Sequence, residues 1–189
     1  MKGLVKTWIA LAAGLLFSGM AQAADFSKLT YMTENYPPYN FSAKGVIQGI
    51  SVDLLLAMGK QAGVPLKLNM IKLYPWARAY NQTLKGPNMV LFATTRTKAR
   101  EALFKWVGPI ANTDTVLLAK KGSGISISSP ADMKKYTIGV VKDDVGEQLV
   151  KAAGVPAGKI KSSSKPTQVA QKLAKGGFSF LPMSKIART

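Results

Sequence analysis

Short β-rich runs alternate with helical stretches along almost the whole chain, and Gly and Pro mark the joints between them. Lys28–Thr33 reads as a strand, followed by a loop, Glu34-Asn35-Tyr36-Pro37-Pro38-Tyr39-Asn40, that two prolines keep out of any helix or central strand. Ser51 opens a helix whose apolar face is Val52, Leu55, Leu56 and Met58, with Asp53 in its first turn to suit the helix dipole and Gly63 to close it. Pro65–Ile71 alternates as a strand; Pro75 starts a helix with Trp76, Ala79, Tyr80 and Leu84 at helical spacing, ended by Gly86; Met89–Ala93 is a buried strand. Thr94–Thr97 is a polar turn, Lys98–Leu103 one or two helical turns, and Asp114–Lys120 a strand.

Beyond the Gly/Ser-rich stretch Gly122–Ser129 the pattern resumes. Ser129-Pro130-Ala131-Asp132 has the form of a capping box with Pro at the first helical position. Tyr136–Val141 is a strand, Lys142–Val145 a loop, Gly146–Ala153 and Pro166–Lys175 are helices, and Phe178–Leu181 is a strand. Alternation of this kind predicts an α/β fold with mostly parallel sheet. The shift in composition divides the chain into two lobes, 24–112 and 113–189.

The residues before the first strand read as an address. Lys2 and Lys6 precede an apolar stretch, Trp8–Phe17, and Ala21-Gln22-Ala23 supplies a small-x-small cleavage pattern. The apolar stretch is shorter than the roughly 20 residues a membrane span needs. Residues 1–23 are therefore expected to be a cleaved signal peptide, and the mature protein to be exported to the periplasm. The chain has no Cys and no His, which excludes disulfides, thiol chemistry and His-dependent catalysis. No cofactor or metal is called for. The net charge is +17, but the lysines are spread from Lys28 to Lys185 with no nucleic-acid-binding motif, so nucleic acid is not an expected partner.

Four places share a pattern whose order and spacing are more specific than any one of them: Glu34-Asn35-Tyr36-Pro37-Pro38-Tyr39 after the first strand; Gly49-Ile50-Ser51-Val52-Asp53-Leu54; Thr95-Arg96-Thr97-Lys98-Ala99-Arg100 followed by Phe104-Lys105-Trp106-Val107-Gly108-Pro109; and Tyr136–Val141 running into Lys142-Asp143-Asp144-Val145-Gly146. Over Leu29 to Lys175 the chain resembles the family 3 bacterial extracellular solute-binding proteins. The resemblance implies a type II periplasmic-binding-protein fold, two α/β lobes closing on a ligand, working as a monomer with the permease of an ABC transporter. From about 176 the sequence departs from the family pattern, so the second lobe and the segment returning to the first are expected to be incomplete.

The resemblance also implies a site. Arg100 matches the carboxylate-binding arginine, whose planar fork takes a carboxylate through two parallel bonds; read by itself it is an arginine on a helix surface. Thr95 matches a position whose hydroxyl and amide assist that carboxylate. Tyr36 matches a position that stacks on the ligand, and either Tyr36 or Tyr39 is expected to pack under the loop instead. Glu34 has two readings, a partner for a ligand ammonium or a solvent-facing carboxylate. Trp76 and Arg78 face the cleft in one branch of the family, while the apolar stripe places Trp76 in the core. Asp143, Asp144 and Val145 match the loop that closes from the second lobe, and Asp144 is equally a helix cap. Capture of an amino-acid-like or carboxylate ligand for import is the leading function. The alternatives are a dehydratase-like enzyme on the same fold, signalled by a strongly perturbed carboxylate deep in the cleft, or a truncated product without function.

Overall fold

The computed structural model describes residues 26–186, so the expected signal peptide lies outside the described residues. Its elements are β1 (Thr30–Thr33), β2 (Phe41–Ala43), β3 (Val46–Gln48), α1 (Ile50–Gln61), β4 (Ile71–Leu73), α2 (Trp76–Leu84), β5 (Met89–Leu91), β6 (Thr113–Ala119), β7 (Ile138–Val141), α3 (Val145–Ala152), β8 (Ile160–Ser163), α4 (Pro166–Ala174) and β9 (Phe180–Ile186). They build two main sheets. The first has the order β4-β1-β5, all parallel, with Tyr31 opposite both Ile71 and Val90. The second has the order β6-β9-β7-β8. There β7 runs parallel to β8 and β9, while β6 and β9 pair antiparallel from Thr113↔Ile186 to Ala119↔Phe180.

Each sheet covers its own core. Tyr31, Val52, Ile71 and Phe92 cluster under the first, and Ile138, Val140, Val150, Val155 and Phe180 under the second. A third cluster joins them: Trp76 and Tyr80 of α2 pack against Val141, Val169, Phe178 and Leu181. The second sheet's end of that cluster depends on Gly139, because the Phe178 ring lies where a side chain would be.

Several local expectations shift by a few residues, and two change kind. Of Pro65–Ile71 only Ile71 joins the sheet, as the first residue of β4; Leu68–Met70 is a 3-10 turn, and Leu66 and Met70 pack against the first core. The loop after Asn40 carries an unforeseen hairpin, β2–β3, turned by Lys44 and Gly45 at φ 52 and 79. Such left-handed pairs match the twist of a two-residue hairpin. Strand β8 was also missed. The residues after 176, which depart from the family pattern, enter the second sheet: Phe178, Phe180 and Leu181 are buried, and β9 lies between β6 and β7. The capping box at Ser129 is present, with Asp132 accepting from the Ser129 amide at 3.0 Å.

Candidate ligand-binding site

The tyrosine loop is fastened to the start of α1. The carbonyls of Pro38 and Tyr39 accept from the amides of Ile50 and Ser51 at 3.2 and 2.8 Å, partners for donors that a helix start leaves unpaired. Gly49 permits this approach: its φ is 126, and a Cβ there would stand 2.7 Å from the Tyr39 carbonyl carbon. Buried Asn40 donates to the Glu34 carbonyl at 2.7 Å and closes the loop on itself. Tyr36 and Tyr39 stack on each other with ring centres 5.5 Å apart, so neither goes under the loop alone.

Arg100 lies where the two sheets meet. It is carried by the 3-10 segment Lys98–Leu103 and is fully buried. Its guanidinium carbon sits 5.1 Å from the Trp76 ring centre and 5.0 Å from that of Tyr80. Nη1 donates to the Thr95 carbonyl and Nη2 to the Asp143 carbonyl, each at 3.1 Å, while Nε has no hydrogen-bond partner. Burial pushes its pKa down; Asp144, Tyr80 and Glu34 act the other way. A buried guanidinium held by neutral carbonyls, with one donor orphaned, is a cation prepared for an anion.

Two carboxyls share that environment. Glu34 is pushed up to about 8, chiefly by burial and then by the charge of Asp144, with Arg100 opposing. Asp144 is also raised, by burial first, against the pull of its bond from the Val145 amide and of Arg100. Asp144 caps α3, accepting from the Val145 amide at 2.6 Å, and Val145 is buried beneath it.

The sequence-derived residues thus divide. Arg100, Thr95, Trp76, Asp143, Asp144 and Glu34 come together. Thr95 meets Arg100 through its carbonyl, and Trp76 is core, with its indole N–H donating to the Asp143 carbonyl at 2.8 Å. Arg78 is exposed, with its guanidinium 4.0 Å above the Tyr74 ring centre. Tyr80, Asn81 and Glu147 escaped the sequence reading. Tyr80 looked like one more apolar position, and Asn81 has no local signal. Glu147 stands three residues after the Asp144 cap, a capping-box spacing that was there to be read. Among the described residues no helix is long and apolar enough to cross a membrane, and no His, Cys, Asp or Glu cluster could hold a metal ion.

Two α/β units meeting around a buried arginine and acidic groups define a two-lobed binding protein with the type II periplasmic-binding-protein fold. A sequence profile for bacterial extracellular solute-binding proteins, family 3, matches residues 29–178, and the chain belongs to that family. Solved structures agree on the fold. An ancestral arginine-binding protein bound to glutamine is 24% identical with a TM-score of 0.67, over 83% of this chain and 69% of that one. The arginine-, lysine-, histidine-binding protein ArtJ from Geobacillus stearothermophilus is 23% identical with a TM-score of 0.70, over 84% and 68%. An ancestral amino acid-binding protein described as a precursor of cyclohexadienyl dehydratase is 20% identical with a TM-score of 0.68, over 84% and 72%. No curated protein sequence matches the chain.

Proposed function

We propose that this solute-binding protein captures an α-amino acid or a closely related carboxylate in the periplasm and delivers it to an ABC permease. The observation that carries the reading is Arg100: fully buried, on two aromatic faces, and without an anionic hydrogen-bond partner. A ligand carboxylate would complete it, and the carboxyls of Glu34 and Asp144 supply acceptors for an ammonium group beside it. The names of the ArtJ and ancestral arginine-binding structures support an amino-acid ligand.

Titration calorimetry of the mature protein against the common L-amino acids tests this. A bound amino acid should lose affinity by about 2–5 kcal/mol in Arg100→Ala, the range for truncating one side of a buried charge pair. Arg100→Lys should recover only part, because an ammonium has no fork. Unchanged affinity in both variants would remove Arg100 from the site.

A second reading has its own observation. Glu34, pushed up to about 8, holds its proton at neutral pH, as a general acid does. A dehydratase-like activity would then give a dehydrated product, detected by mass spectrometry from a carboxylate substrate and lost in Glu34→Gln. Binding without conversion would decide for transport.

A further inference from the structure

Asp143 uses every polar group it has. It stands at φ 60, a left-handed conformation that costs a non-glycine residue. Its carbonyl accepts from Trp76 at 2.8 Å and Arg100 at 3.1 Å, and its Oδ2 accepts from Asn81 Nδ2 at 3.2 Å. Its amide points the other way and donates to Glu147 Oε2 at 2.6 Å. Thus one residue of the second sheet's loop grips three of the first unit.

Glu147 is a buried carboxylate that reaches neither Arg100 nor Glu34 in any hydrogen bond. It is 6% exposed; its Oε1 takes the Ser162 hydroxyl at 2.9 Å and Lys151 Nζ at 3.2 Å. Those partners come from β8 and from the next turn of α3, so the carboxylate ties the loop to the frame of the second sheet. A guanidinium takes a carboxylate through two parallel bonds along either of two edges, Nη1/Nη2 or Nε/Nη2. Each edge uses one of the two Nη2 hydrogens, and the Asp143 carbonyl holds one of them.

We propose that the Asp143 carbonyl is a built-in stand-in for a ligand carboxylate on Arg100, and that Glu147 is the positioning residue that presents it. This contact clasps the two units together. On the carboxylate-binding reading of Arg100, a ligand carboxylate taking the edge that the carbonyl occupies contends with it, so the strength of the clasp sets the affinity that remains on that edge. Glu147 then tunes binding from outside the ligand's reach.

Phenylglyoxal modification of arginine, mapped by mass spectrometry on the mature protein without ligand, reads the clasp directly. Arg78 is exposed and serves as the internal reference. In the wild type Arg100 should react at least tenfold more slowly than Arg78. Asn81→Ala, at an exposed position, and Glu147→Ala should each speed the reaction at Arg100 by about tenfold, the scale of a lost hydrogen bond. Glu147→Gln, which keeps an oxygen for the Asp143 amide, should speed it less. Amide exchange at Val140 and Val150 in the second core should stay unchanged. Equal reactivity of Arg100 and Arg78 in the wild type overturns the clasp. Unaltered protection in both alanine variants, or core exchange that accelerates in step with Arg100, overturns the role of Glu147. Because no ligand is used, failure here is separate from failure of the ligand site, which the Arg100→Ala calorimetry reports.

Discussion

Replacing Gly139 by alanine sets a methyl group against Phe178. The new Cβ would lie 2.5 Å from Cε1 of the ring and closer still to Cζ and Cε2, well inside any real carbon contact. Phe178 is 7% exposed and boxed in by Trp76, Val141, Val169 and Leu181. Two responses are open. If the ring stays, the overpacked core loses about 1–3 kcal/mol. If it is expelled, its burial is lost, about 1.5–3 kcal/mol for a large apolar side chain. The two routes give Gly139→Ala a cost of about 1–3 kcal/mol. Phe178→Ala should cost about 3–5 kcal/mol by cavity formation. The diagnostic quantity is the pair. With the ring gone the methyl has room, so the double variant should be no less stable than Phe178→Ala, a coupling of about 1–3 kcal/mol. Urea unfolding of the four proteins measures this, with a constant slope as the check on two-state behaviour. Additivity within about 0.5 kcal/mol would mean that Phe178 does not lie on β7, and the placement of the chain after 176 would fall with it.

Other consequences are open to similar tests. The ordinary Glu34 value is 4.5 and burial raises it to about 8, so the folded form keeps a proton that the unfolded chain releases. Its contribution is full below about 4.5 and is lost as pH rises through about 8; melting of the wild type should fall across that window by the equivalent of a few kcal/mol, and Glu34→Gln should flatten the slope. Asp132 is held down to about 2 by Lys135 and then by Ser129 and its neighbours. Its stabilisation is present above its ordinary 3.8 and fades as pH falls through about 2, so Asp132→Asn should lower the melting temperature at pH 7 and not at pH 2. Gly49→Ala meets both a φ of 126 and the Tyr39 carbonyl; a loss of more than about 1 kcal/mol is expected in urea, and a neutral result would detach the tyrosine loop from α1.

The sequence patterns that survive into the structure are those with a local cause. Pro75 at the start of α2, the Ser129–Asp132 box and the apolar spacing of Trp76, Ala79 and Tyr80 are each set within a few residues. Pro65–Ile71 misled because alternation alone does not distinguish a strand from a 3-10 turn that sends Leu66 and Met70 to the same core. Within the site, Arg100 and the Asp143–Val145 loop stood out through family spacing. What no local pattern carries is that the Asp143 carbonyl, not its carboxylate, meets Arg100, for this depends on a left-handed residue and on a side chain from β8. The exposed Arg78 guanidinium lies over the ring of its neighbour Tyr74, a contact that the short motif did not indicate.

The strand order β6-β9-β7-β8 has a consequence for how the protein is made. β9 is the latest of the described strands to be synthesised, yet it fills the place between β6 and β7. Until Phe180–Ile186 emerges, β6 lacks the neighbour it pairs with over its whole length, and β7 can recruit only β8. The second sheet is thus closed by a long-range pairing that must wait for β9, a slow topology that keeps the nascent chain loose until then. Such a delay sets the interval during which a chaperone has most to protect.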